Sequence, residues 1–330
     1  MLDRLQRPLR DLRLSLTDRC NFRCRYCMPI EVFGPGHEFL PRNEILNFDE
    51  LVRTVRAGVK LGVTKVRLTG GEPLLRRGVE DLVAMIAAVP GVEDLAMTTN
   101  GILLSHHARG LAAAGIDRVT VSLDALDEET FAKMNGVGAK LDRVLLGIKS
   151  ARDAGLPVKV NMVVQRGVNE QEIVPMIRWS HDAGVTLRFI EFMDVGETNG
   201  WDTRQVVTAR EILEIVTRLF RVEEVSPAYP GEVAKRWRFL DGAGEFGLIS
   251  SVSQPFCGDC SRLRVSAEGK AFTCLFASEG ADLRGCLRSV ESDEEVTEFI
   301  RGLWGKRKDR YSEERGEVDR PKAEMSYLGG

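Results

Sequence analysis

Between residues 12 and 194, short apolar runs alternate with longer stretches whose apolar positions recur every three or four residues. The runs LRLSLT (12–17), KVRLTG (65–70), DLAMTTN (94–100), RVTVSLD (118–124), PVKVNMVV (157–164) and TLRFIEFMD (186–194) have strand length. Between them, segments such as FDELVRTVRAGVKLG and GVEDLVAMIAAVP carry a helical period. Gly62, Gly115, Gly155 and Gly184 stand where a helix must stop before the next strand, the place a left-handed cap favours glycine. Six β–α units in succession predict an α/β fold with a parallel sheet, either open and doubly wound or curled into a partial (β/α)6 TIM-type barrel. A helix over 208–220 ends this pattern. From 221 to 276 short strands and glycine turns take over: RWRFL, EFGLIS and RLRVSAEGKAFTCLF, the last a hairpin turning at AEGK. Charged helices and a Gly-Gly pair follow. The change places a boundary near residue 220, with 1–220 the partial barrel and 221–330 a C-terminal α+β extension covering its open side.

Strand alternation carries a second message. In KVRLTG, Lys65, Arg67 and Thr69 share one face and Val66 and Leu68 the other. The same split groups Arg13 with Ser15, Thr120 with Ser122 and Asp124, and Lys159 with Asn161. Parallel strands covered on both sides are apolar on both faces. Here helices must take the apolar face, so the polar, cationic face should line a cavity. Burying Lys65, Arg67, Lys159 and Arg188 without partners would cost several kcal/mol each, which a bound polyanion would offset. Any one of them, Lys65 above all, could instead reach solvent along its stem. No GxxxxGK[ST] loop is present, so a triphosphate would be gripped by side chains.

Composition narrows the picture. A chain of 330 residues with 43% hydrophobic and 29% charged positions can bury a full core. Its net charge of −3 argues against a general nucleic-acid binder. MLDRLQRPLRDLR holds no apolar run of signal-peptide length, and no stretch approaches a membrane span, so a cytoplasmic protein is expected. Seven cysteines in that compartment, an odd count, point to metal or redox chemistry rather than disulfides.

Those cysteines fall into two sets. Cys20, Cys24 and Cys27 have C-x3-C-x2-C spacing directly after the first strand. Structural zinc and closed iron–sulfur sites take four ligands. Three thiolates on a cubane would leave one iron open to a small chelate, such as the amino and carboxylate groups of S-adenosylmethionine. The plainer alternatives are a zinc loop completed by Asp18 or a distant residue, and free thiols. Cys257, Cys260 and Cys274 form C-x2-C-x13-C, again three; Cys286 could close that set into a four-cysteine site, or could be a small buried thiol. Arg262 and Arg264 alternate just beyond Cys260 and would point together at whatever the second set holds, or form a solvated pair on an edge strand.

CNFRCRYC resembles the CxxxCxxC motif of the radical S-adenosylmethionine superfamily, and GGEPLL (70–75) resembles that superfamily's GGEP motif. CGDCSRLRVSAEGKAFTCLF, FMDVGETNGW (192–201) and the terminal MSYLGG are similar to one family within it, the GTP 3′,8-cyclases of molybdenum cofactor biosynthesis, over essentially the whole chain. The resemblance implies two 4Fe–4S clusters, on Cys20, Cys24 and Cys27 and on Cys257, Cys260 and Cys274. It implies S-adenosylmethionine contacts at Tyr26, Gly71, Ser122 and Met193, and GTP contacts at Arg13, Arg67, Thr98, Lys159, Arg262 and Arg264. Arg262, Arg264 and a tail ending in Gly329 and Gly330 would assist the radical chemistry. Met193 and Arg188 have opposite parity, so Met193 is expected past the strand end; Cys286 belongs to no family motif. The implied reaction begins with hydrogen abstraction from the ribose C3′ of GTP and closes a C3′–C8 bond. An external electron donor, a homodimer and a downstream cyclic pyranopterin monophosphate synthase are implied as partners, with neither nucleic acid nor membrane. A related radical enzyme acting on a peptide would carry more C-terminal cysteines and a peptide-recognition region. A non-enzymatic iron–sulfur carrier or zinc module would have closed four-ligand sites and no cationic cavity.

Overall fold

The computed structural model describes residues 1–229, 231–315 and 321–329, so Gly330, expected in the active site, lies outside the described residues. The six expected strands form: β1 (Asp11–Ser15), β2 (Lys65–Thr69), β3 (Asp94–Thr99), β4 (Arg118–Ser122), β5 (Val158–Val164) and β6 (Thr186–Glu191). Between and after them run α1 (Phe48–Lys60), α2 (Val79–Ala87), α3 (Leu104–Ala113), α4 (Glu128–Asn135), α5 (Leu141–Asp153), α6 (Ile173–Ala183) and α7 (Ala209–Thr217). Helix α1 starts at Asn47, whose side chain accepts the Glu50 amide at 2.9 Å while Glu50 accepts the Asn47 amide at 2.7 Å. Its Leu51, Val52 and Val55 are buried in the main core with Leu12, Leu14, Val66 and Leu68 of β1 and β2. The four expected stop glycines all adopt positive φ.

Strands β1 to β6 pair in parallel and in order, an open sheet with the topology of a partial barrel. Residues after 220 extend both of its edges. Strand β9 (Glu245–Ile249) pairs in parallel with β6, and β8 (Lys235–Phe239) and β7 (Val222–Val225) follow antiparallel. On the opposite edge β10 (Arg262–Val265) pairs in parallel with β1, and β11 (Lys270–Phe272) and β12 (Ala281–Asp282) follow antiparallel. The β10–β11 hairpin turns at the expected AEGK. Helices α8 (Leu283–Ser289) and α9 (Asp293–Gly305) pack with α1, and α10 (Met325–Leu328) carries the tail. No helix among the described residues is long and apolar enough to cross a membrane.

Strand β6 stops at Glu191, short of the run read to 194. The Glu191 carboxylate, 1% exposed, accepts the amides of Ala209, Val252 and Ser253 and the Ser253 hydroxyl. Those bonds turn the chain out of the sheet, and Met193 lies two residues beyond the strand end.

Candidate active site

The first three cysteines sit on the loop leaving β1, and Arg23 fixes that loop. Its Nε donates to the Phe33 carbonyl (2.6 Å), its Nη1 to the carbonyls of Cys20 (2.8 Å) and Phe22 (2.7 Å), and its amide to Asn135 (2.8 Å). Burial raises all three thiols, Cys20 to about 11, with Glu72 adding to it; Cys20 acts in the same direction on Cys24 and Cys27. Three half-buried cysteines within one another's field fit a cationic metal cluster, which would draw off their protons. The Phe22 amide already donates to the Cys20 sulfur (3.4 Å), and the Asn100 amide group stands 3.9 Å from it. Asp18 accepts the Leu40 amide at 2.6 Å, and the His37 ring meets Phe33 at a tilt (4.8 Å) and Phe39 edge-on (4.7 Å), so both are engaged in loop contacts.

The other expected cofactor residues gather at the same strand ends. Tyr26 donates to the Asp124 carboxylate (2.8 Å), which also accepts the Val163 amide (2.9 Å); burial lifts Asp124 to about 6. Gly71 passes so close to the Arg19 carbonyl that a Cβ there would lie 2.2 Å from its oxygen. Its amide donates to Thr17 at 2.7 Å. The adjacent Glu72 ties this loop to β3, accepting the Thr99 hydroxyl (2.7 Å) and the Asn100 amide (2.8 Å). Ser122 ends β4, half-buried beside Asn161.

Below this rim lies a cavity of about 390 Å³. Arg13, Arg67, Thr98, Arg188, Arg262 and Arg264 line it, together with Tyr26 and Met193. Lys159, Gly71, Ser122 and the first three cysteines are not among its lining residues. Strand register explains its charge: Arg264 pairs with Arg13 and Arg13 with Arg67, so three guanidinium groups stand side by side across β10, β1 and β2. Like charges in register are destabilising unless something neutralises them. Arg67 donates to Thr98 (3.1 Å) and Thr120 (3.3 Å), and Arg188 to Asn161 (2.9 Å) and Thr120 (3.3 Å). Burial, with neighbouring arginines adding to it, lowers Arg67 to about 9, Arg188 to about 10 and Lys159 to about 8. Nε of Arg13 and Nε of Arg67 are buried with no hydrogen-bond partner among the described residues. Asp11 stands 3.8 Å from Arg13, while Asp94 is held by Arg118 at 2.6 Å. The cavity carries more cation than its own carboxylates neutralise.

Cys257, Cys260 and Cys274 line the same cavity. Arg262 reaches the Cys260 sulfur at 3.2 Å. Burial alone would raise the Cys260 thiol, but Arg262 and Arg307 bring it down to about 6. Two buried arginines that no local motif announces hold the backbone of this set: Arg307 donates to the Cys260 carbonyl (2.6 Å) and Arg7 to that of Cys257 (2.9 Å). They lie 47 and 250 residues from their cysteines, which hides them from any reading of spacing. Cys286 sits on α8 packed against the main core, with Glu295, Arg53 and Asp282 as its charged neighbours. It does not join Cys257, Cys260 and Cys274. Arg264 donates to the Gly329 carbonyl at 2.8 Å, so the described end of the tail touches the arginine row.

Two family models match the chain: the Radical SAM superfamily over residues 14–180 and Molybdenum Cofactor Synthesis C over residues 185–313. Among curated relatives, a GTP 3′,8-cyclase of Acidothermus cellulolyticus is 49% identical, covering 99% of this chain and 98% of the relative. A GTP 3′,8-cyclase of Staphylococcus aureus is 48% identical with the same coverage. Among solved structures, Streptococcus suis SuiB bound to S-adenosylmethionine superposes with a TM-score of 0.60 at 16% identity, over 81% of this chain and 60% of that one. Methylornithine synthase superposes with a TM-score of 0.51 at 16% identity, over 64% of this chain and 62% of that one. These two are likenesses of fold, and the chain spans about 60% of the length of each.

Proposed function

The chain belongs to the GTP 3′,8-cyclase family of the radical S-adenosylmethionine superfamily, and from that premise we propose which of its residues carry the reaction. The activity is the conversion of GTP to 3′,8-cyclo-7,8-dihydro-GTP, the first step of molybdenum cofactor biosynthesis, using S-adenosylmethionine and a 4Fe–4S cluster. Cys20, Cys24 and Cys27 hold that cluster, and Tyr26, Gly71, Ser122 and Met193 hold S-adenosylmethionine beside it. With its amide given to Thr17, Gly71 would meet the amino group through its carbonyl. The reduced cluster with S-adenosylmethionine supplies the carbon radical that starts the reaction.

Cys257, Cys260 and Cys274, which line the cavity, would hold a second 4Fe–4S cluster, and that cluster would supply a Lewis-acidic site for the substrate. Arg13, Arg67, Thr98, Lys159, Arg262 and Arg264 hold GTP between the two sets, and Gly329 and Gly330 complete the site. The observation that carries this reading is the row Arg264, Arg13, Arg67, three arginines in register with two of their Nε groups lacking a hydrogen-bond partner. A triphosphate supplies what that row lacks, and charge-assisted bonds to phosphate are the strong kind. We read residues 1–220 and 221–330 as the barrel and the part that brings the second cluster to it. An external electron donor, a homodimer in the cytoplasm, and transfer of the product to cyclic pyranopterin monophosphate synthase belong to the same proposal.

Anaerobic reconstitution tests the second cluster. The Cys260→Ala variant is expected to hold about half the iron and sulfide of the wild type while still cleaving S-adenosylmethionine. Equal iron in both would rule out a second cluster on Cys260. A pH series tests the GTP site. Lys159 is held down to about 8, so it is cationic at pH 7 and neutral well above pH 8. GTP prefers the cationic form, so affinity is expected to be flat near pH 7. It should weaken above pH 8 by up to about tenfold per unit, the limit for one linked proton. Lys159→Arg is expected to flatten that fall, as followed by calorimetric titration; an identical fall in the variant would remove Lys159 from the site.

A further inference from the structure

The tail does more than end at Arg264. Strands β6 and β10 flank opposite ends of the row β1 to β5, so they form the two lips of the open barrel. Residues 321–329 run from one lip to the other.

At the β6 lip, Glu324 accepts the Glu197 amide (2.9 Å) through Oε1 and the Thr198 hydroxyl (2.9 Å) through Oε2. The Lys322 amide donates to Glu197 (2.9 Å), and its ammonium reaches Asp194 (3.0 Å). Asp194 is 5% exposed and also accepts Tyr311 (2.7 Å) and Arg315 (2.8 Å). Gly196 has φ of 77°, and a Cβ there would lie 2.2 Å from the Glu324 carboxylate, so this loop is shaped to let that carboxylate in. At the β10 lip, the Tyr327 hydroxyl bonds Glu268 in the β10–β11 turn, and its ring meets Phe272 edge-on at 5.9 Å. Between the anchors, Met325 packs with Met193 and Cys274 on the small apolar cluster of Val195, Phe276 and Tyr311. At the far end Gly329 presses on Thr69, where a Cβ would lie 2.0 Å from the hydroxyl.

We propose that Glu324 is a positioning residue: it straps the C-terminal segment to the loop that carries Met193, so that tail and loop close over the cavity as one unit. This rests on the reading of the cavity as the place where GTP reacts. Closure of that kind holds substrate against the radical source and keeps water out. Because both glutamate bonds go to residues 197–198, removing them loosens the loop and the tail together, with Lys322 on Glu197 and Asp194 as the remaining tie.

The test uses the full chain with reconstituted clusters, comparing Glu324→Ala and Thr198→Val with the wild type. Amide hydrogen exchange in 193–199 and in 321–329 is expected to rise together by at least about tenfold in Glu324→Ala, with the barrel strands unchanged. S-adenosylmethionine cleavage is expected to persist while the ratio of 5′-deoxyadenosine to cyclised nucleotide rises about fivefold or more. Thr198→Val, which removes one of the two bonds, is expected to show the same pattern at smaller amplitude. Faster exchange confined to 321–329, or a released strap with an unchanged product ratio, would overturn the proposal. Wild-type protein that cleaves S-adenosylmethionine yet yields no cyclised GTP would overturn the functional reading instead, and exchange would still decide the strap.

Discussion

Replacing Cys24 with alanine is expected to abolish 5′-deoxyadenosine formation, to below about one thousandth of the wild-type rate, with GTP binding retained. Groups that act as a unit fail together when one is removed, so two thiolates should give not a partial rate but none. Cys24 is the one of the three whose thiol feels both of its partners, Cys20 and Cys27, together with Asp124. The loop itself should survive the change, because Arg23 and the Cys27 and Met28 amides hold it through backbone carbonyls rather than through the sulfur. Near-normal melting with lost cleavage is therefore the expected pair of results. Cleavage that persisted would mean that these thiols do not hold the cluster.

The second large effect is expected at Arg67. It stands at the end of the arginine row, half-buried, with one nitrogen shared between Thr98 and Thr120 and a buried Nε without a partner among the described residues. Arg67→Met is expected to weaken GTP binding by about 30-fold to 1000-fold, the loss seen when a buried charge pair loses one partner. It should not destabilise the empty protein, because burial and the charges of Arg13, Arg118 and Arg188 already work against this guanidinium. A melting temperature equal to or above that of wild type, with poor GTP binding measured by calorimetry, identifies a charge kept for a ligand. A lower melting temperature with unchanged GTP binding would identify a structural arginine instead.

Much of this was legible in the chain. Six strands, their helices and the glycine stops follow from periodicity, and the cationic lining of the cavity follows from alternation at Lys65 and Arg67, while Lys159, read by the same rule, is not among the lining residues. Both cysteine sets announce themselves by spacing. What alternation does not encode is partnership between distant strands. Arg264 stands in register with Arg13 across 251 residues of sequence, and only the pairing of β10 with β1 makes them one surface. The same limit hid Arg7 and Arg307, which reach the second cysteine set through backbone carbonyls while also pairing with Asp3. Glu191 shows the converse: its place in a strand-like run hid a buried carboxylate that ends the strand. Cys286 was readable in either of two ways, and on α8 it lies apart from the second set, partly buried against the main core.

The most direct test of the account supplies anaerobically reconstituted protein with reductant, S-adenosylmethionine and GTP deuterated at the ribose C3′, and weighs the 5′-deoxyadenosine that forms. Deuterium in that product is the predicted result, since it requires the radical source and GTP to meet in this cavity. 5′-Deoxyadenosine formed without deuterium, from protein with full iron and sulfide, would contradict it.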